Sequence, residues 1–143
     1  MCIEINYEDI REFARLSAEA LSELPEEQTL READTTDPLD KMALHYVRQG
    51  SLVIRQFADC FRAGRLDIEE GCALRTLLVQ SDLMLGMALA GSSAEGNSCI
   101  GQAEAEKQQC LKEGCGKKFC GCVWNSFLAK SNCFVSVNIG GKK

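Results

Sequence analysis

The sequence has two prolines, one tryptophan and a single histidine, and its nine cysteines include no C-x2-C pair. The lone His45 has no nucleophile or orienting carboxylate at a recognisable spacing, and reads as a solvated residue on the boundary of a helix. There is no Gly-x-Ser-x-Gly segment, and Gly114-Cys115-Gly116-Lys117-Lys118 lacks both the gap and the Ser/Thr of a phosphate loop. The sequence therefore offers no candidate for catalysis. The usual spacings of zinc ribbons and iron–sulfur sites are absent as well.

No N-x-Ser/Thr acceptor occurs, and Met1-Cys2-Ile3-Glu4-Ile5-Asn6 has neither the basic region nor the apolar stretch of a secretory signal. The most apolar window, Leu77 to Gly91, is broken by Gln80, Ser81 and Asp82, too polar and too short to span a bilayer. The expectation is a cytoplasmic, reducing setting in which the cysteines stay as structural thiols. An odd cysteine count excludes complete pairing within one chain. Arginine is absent after Arg75, and the last 52 residues carry only lysine as a basic residue.

What is present is a chain of 143 residues with 45% apolar and 26% charged residues, enough to bury a core without staples. Its net charge of −5 gives no general attraction to phosphate backbones or anionic lipid, so neither direct nucleic-acid binding nor membrane binding is expected. Residues 1–91 hold 17 acidic and 9 basic residues, a net of −8, while 92–143 hold 4 and 7, a net of +3. Six of the nine cysteines fall in the second part. The organisation expected is an acidic helical body over 1–91, a Ser/Gly/Asn linker over 92–98, and a Lys- and Cys-rich tail over 99–143 packing on the body. The compositional break also suggests a mosaic gene of the kind carried on mobile DNA.

The fold class expected is mainly α: an antiparallel three-helix body, formed by an N-terminal helix and a helical hairpin. Helix one runs from an Asn6 cap through Ile10, Phe13, Ala14, Leu21 and Leu24 to Pro25, and the polar stretch Glu26 to Thr36 has room for one further turn. Asp37-Pro38 opens helix two, which Gly64 closes, with Leu39, Met42, Tyr46, Gly50, Val53, Phe57 and Cys60/Phe61 inward. Asp67 and Glu70 open helix three, which stops at Gly91. In the tail, Gln102 to Glu113 and Phe119 to Lys130 favour helix, the latter with Trp124, Phe127 and Leu128 on one face. Cys133 to Ile139 alternates like a strand, whose partner in sequence would be Cys2 to Ile5.

Three constellations bear on function. Leu83 to Ala90 is apolar on every side, so either the tail covers it or it forms an interface, with Leu83, Met84 and Met87 as contacts. Lys41, Arg48, Arg55 and Arg62 recur every seven residues, which makes a docking strip or a row paired with Glu8, Glu12, Glu19 and Glu23 of helix one. Cys110, Cys115, Cys120 and Cys122 could hold zinc as four thiolates. The function expected is a non-catalytic cytoplasmic interaction module, a small regulator or inhibitor, without a cofactor. It would form a homodimer and dock an acidic, apolar helical surface on a protein partner such as a nucleic-acid-binding complex. The alternative is a thiolate zinc module.

Overall fold

The computed structural model describes residues 7–90, 98–115 and 121–136, and all its regular structure is helical. The mainly α class holds. Helix α1, Tyr7–Ala20, buries Ile10, Phe13, Ala14 and Ser17, the i, i+3, i+4, i+7 face of an amphipathic helix. A 3-10 turn, Leu21–Glu23, follows. Pro25 then forces Leu24 into extended backbone (ψ 149°), which ends the run as its ring requires. The proposed cap Asn6 lies outside the described residues.

The polar stretch forms a short helix α2, Glu27–Glu32, anchored by buried Leu30. Helix α3, Pro38–Ala63, opens as the sequence implies: the Asp37 carboxylate accepts from Leu39 N at 2.9 Å and Asp40 N at 3.1 Å, and Pro38 supplies the first position. Gly64 closes it at φ 67°, a conformation that a side chain would strain. Helix α4, Ile68–Ala90, starts where Glu70 N donates to Asp67 Oδ2 at 3.1 Å. The short connection makes α3 and α4 an antiparallel hairpin.

The seam of α3 differs from expectation at one end. Gly50, Val53, Phe57 and Cys60 are buried, but Met42 is exposed and Ala43, Val47 and Ile54 take the centre of the face. On a helix of 3.6 residues per turn Met42 lies about five turns before Cys60 and on the same side, so its exposure marks where the described neighbours stop covering that side near the start of α3.

Helix α5, Ser98–Cys110, runs on into a π-helical turn, Leu111–Cys115, and α6 spans Cys122–Phe134. Ser98, the last residue of the expected linker, is therefore the first of α5. The strand expected from Cys133 is overturned over its described part. Cys133 and Phe134 complete α6, and Val135 keeps helical angles (φ −64°, ψ −42°). Phe134 falls on the same helical face as Trp124, Phe127 and Ser131, and burying that face outweighs the local alternation. The remainder of that strand and its partner, Cys2 to Ile5, lie outside the described residues.

Helix α6 belongs to the same core as α1, α3 and α4. The Trp124 ring stacks on Phe13 at 5.2 Å between centroids and sits 6.5 Å from Phe57. Its Nε1 donates to Ser17 Oγ at 2.7 Å, while Ser17 donates to Phe13 O at 3.0 Å. Each such large apolar side chain contributes about 1.5–3 kcal/mol by leaving water. Asn132 Nδ2 donates to Glu23 O at 2.8 Å, tying the end of α6 to the turn after α1.

The approach of α6 to α3 depends on Gly50, where an added Cβ would lie 2.2 Å from Phe127 Cζ. Phe127 is fully buried, so its ring can give way only by displacing the neighbours packed on it. Gly50→Ala is expected to destabilise the protein by about 1–3 kcal/mol through overpacking, despite alanine's better helix propensity. Urea unfolding of the two forms measures this, and a variant as stable as the parent would show that the α3–α6 contact is looser than described.

Candidate functional site: a buried charge cluster and the open face of α4

The centre of α4 carries a charge with no access to water. Asp82 is fully buried, at the head of the run read from sequence as wholly apolar. Its Oδ2 accepts from Lys107 Nζ of α5 at 2.6 Å. Its Oδ1 accepts from Ser126 Oγ at 2.8 Å and Lys130 Nζ at 3.1 Å, both from α6. Lys130, itself fully buried, also pairs with Glu104 of α5. Two carboxylates and two ammoniums give the cluster a balanced charge. Gly86 makes room for it, since a Cβ there would fall 2.9 Å from Glu104 Oε2 and 3.1 Å from Lys130 Nζ.

Asp82, Lys130 and Ser126 are closed to solvent and satisfied by one another, so this cluster joins helices rather than exchanging protons with a substrate. Sequence reading noted Asp82 only as an interruption. The available signal was an acid inside an apolar run, in a chain whose tail supplies only lysines. Asp82→Ala would leave the Lys130 ammonium facing Glu104 alone, and is expected to cost about 3–5 kcal/mol. The pair Asp82→Leu with Lys130→Met is expected to recover most of that loss. Equilibrium unfolding of the three forms decides it, and an Asp82→Ala protein of unchanged stability would remove the cluster from its central place.

The other side of α4 is open. Leu85, Ala88 and Leu89 are buried, but Leu83 is 54%, Met87 65% and Leu77 38% exposed, with Met84 half-buried between them. The tail residues expected as cover, Trp124, Phe127 and Leu128, are indeed buried, but Trp124 packs on Phe13 and Phe57 and Phe127 lies against Gly50, and Leu83 and Met87 stay exposed. From Cys72 to Ala90 the helix has two charges, Arg75 and Asp82, and neither is on the open face. The Arg75 guanidinium lies 5.7 Å from the Phe13 ring centroid, where burial lowers its pKa and Asp9 partly restores it.

The basic row of α3 does not pair with the carboxylates of α1, and its members turn to different partners. Arg48 donates through Nε to Leu30 O at 2.9 Å and through Nη2 to Ala33 O at 3.0 Å, covering the last carbonyls of α2. Arg55 Nη2 donates to Pro25 O at 3.3 Å. Arg62 pairs with Asp59 on its own helix at 3.5 Å, and Lys41 is exposed. The expected partners Glu12 and Glu19 instead pair with Arg15 within α1, which raises the Arg15 pKa. Backbone carbonyls at the α2 end outcompete α1 because α2, rather than α1, flanks this side of α3.

The cysteines correct two expectations. Cys110 and Cys122 form a disulfide with Cα atoms 5.8 Å apart, linking α5 to α6. Two of the four thiolates proposed for zinc are thereby spent; the side chains of Cys115 and Cys120 lie outside the described residues. Cys72 and Cys133 are disulfide-bonded too, so the reading of uniformly reduced thiols does not hold. Among the described residues no group of three or more His, Cys, Asp or Glu side chains is placed to hold a metal. His45 is exposed, with its ring edge against Tyr46 at 4.7 Å. With this geometry in hand, comparison with known proteins finds no matching family model, curated protein or solved structure.

Cys60 is a free thiol in the core, and burial, with Glu70 second, pushes its pKa up. Iodoacetamide at neutral pH is expected to leave Cys60 unmodified in the folded, oxidised protein and to label it in denaturant. Mass spectrometry reads the adduct, and rapid labelling of the native form would mean that the core opens at α3.

Proposed function

We propose that this chain is a non-catalytic interaction protein that docks through the open face of α4, and that its partner on that face is a second copy of itself. The observation that carries this reading is the exposure of Leu77, Leu83 and Met87 on a helix whose opposite face is core. Single exposed apolar residues are ordinary, but three on one helical face with uncharged neighbours form a contiguous strip. Ala73, Thr76, Gln80 and Ala90 complete it, over 17 residue steps or about 26 Å.

The lack of charge selects the occupant. A two-fold contact sets the same strip against itself, residue i of one copy on j of the other and j on i, so a strip carrying charge of one sign would meet like charge. An uncharged strip incurs no such repulsion. It also offers nothing to attract a basic partner, so docking on a nucleic-acid-binding complex through this face is disfavoured. The net charge of −5 opposes self-association weakly, since salt screens separated surface charges beyond about 8 Å.

By length and composition alone α4 could cross a bilayer. Its packing against α1, α3 and α6, with Asp82 at the centre, favours a bundle helix instead. The disulfides also shift the proposed setting from the cytoplasm to an oxidising compartment.

Light scattering at micromolar concentration is expected to give twice 15.7 kDa for the parent and 15.7 kDa for Met87→Asp, whose carboxylate would lose hydration in the contact. A parent mass of 15.7 kDa at every concentration would overturn the proposal.

A further inference from the structure

Away from α4, the short helix α2 and the flank of α3 enclose a cleft of about 440 Å³. This lies within the range of small-molecule sites, roughly 300–1,000 Å³. Its α3 wall is Arg48, Ser51, Leu52 and Arg55, the i, i+3, i+4, i+7 set of one helix face. Its α2 wall is Glu27, Leu30 and Arg31, at i, i+3 and i+4. Three arginines thus line one cavity in a protein of net charge −5, against a single acidic residue.

Ser51 is the second and independent sign. The residue lines the cleft at 2% exposure, and its Oγ has no hydrogen-bond partner among the described residues. A serine inside a helix ordinarily back-bonds to the carbonyl four residues earlier, as Ser81 does to Leu77 O at 2.7 Å and Ser17 to Phe13 O. Ser51 forgoes that bond, and a buried hydroxyl without one carries a desolvation cost that a ligand acceptor would relieve.

The arginines also retain donors. A guanidinium has five N–H groups; Arg48 commits one at Nε and one at Nη2 to α2 carbonyls, and Arg55 commits one to Pro25 O. Those bonds fix the two side chains in place, so a ligand would not have to order them. Arg31 has no ion pair among the described residues. Leu30 and Leu52 supply apolar wall beside these donors.

We infer that the α2–α3 cleft is a binding site for a small organic oxyanion, a carboxylate or phosphate monoester on a short apolar body. The head accepts from Ser51 Oγ and from the free N–H groups of Arg48 and Arg55. Arg31 closes over it as a fork that matches either head group. The body lies on Leu30 and Leu52. Glu27, the one acidic residue of the lining, weakens the site for an anion.

Titration calorimetry on the full-length oxidised protein with hexanoate, hexyl phosphate and 1-hexanol tests this. At least one anion is expected to bind saturably, and the alcohol about ten-fold more weakly or worse; the tighter anion identifies the head group. Arg31→Gln should keep the parent's thermal stability and Ser51→Ala should equal or exceed it; each should weaken the anion about three- to ten-fold, while Glu27→Gln strengthens it. Amide chemical-shift changes in the parent protein, which need no variant, should centre on residues 27–31 and 48–55. Equal binding of alcohol and anions, no saturable binding of either anion, or shift changes centred elsewhere would each overturn the inference.

Discussion

Placing the Asp82 carboxylate in the interior costs several kcal/mol of lost hydration, which only close, well-aligned donors offset. Those donors are Lys107, Ser126 and Lys130, all from the chain after the compositional break. The acidic first part supplies the buried anion and the lysine-rich second part the cations, so the difference in composition along the chain is also complementarity. α5 and α6 therefore have one energetically acceptable seat on α4. The glycines follow from that seat: Gly86 admits the Lys130–Glu104 pair, and Gly50 admits Phe127.

With α6 on one side of the α3–α4 hairpin and α1 beside it, the remaining surfaces are set by what these helices leave uncovered. On α3 the outer flank takes α2, a helix too short to be stable alone, held by buried Leu30 and by Arg48 at its C-terminal carbonyls. A short helix leaves a hollow beside it rather than a sealed seam. On α4 the outer flank takes nothing within the described residues, and it stays apolar and uncharged. Each surface is thus a consequence of helix lengths fixed elsewhere in the chain.

Local chemistry was legible in the sequence wherever the partner was a near neighbour. The Asp37 cap, the Gly64 stop and the Asp67–Glu70 start all rest on bonds spanning four residues or fewer, and each lies where the residues imply. Arg48 was visible as one member of a basic row. Its partners, the carbonyls of Leu30 and Ala33, have no signature in side-chain identity, so the sequence pointed to carboxylates on α1 instead. Asp82 could be seen but not its lysines, 25 and 48 residues away. The Cys110–Cys122 bond depends on how the α5 and α6 ends meet, which spacing alone leaves open. The turn from strand to helix at Cys133 depends on Phe134 reaching the core.

Trp124 is the one tryptophan of the chain, wedged between Phe13 of α1 and Phe57 of α3 with its indole N–H on Ser17. Its near-ultraviolet emission therefore has a single origin, at the meeting point of three helices. Any event that lifts α6 from α1, including reduction of the α5–α6 disulfide if it loosens the hairpin, shifts that emission to the red as water reaches the ring. A separation too small to change helix content would still register in that emission, because the molecule carries its own optical gauge at the joint between its two halves.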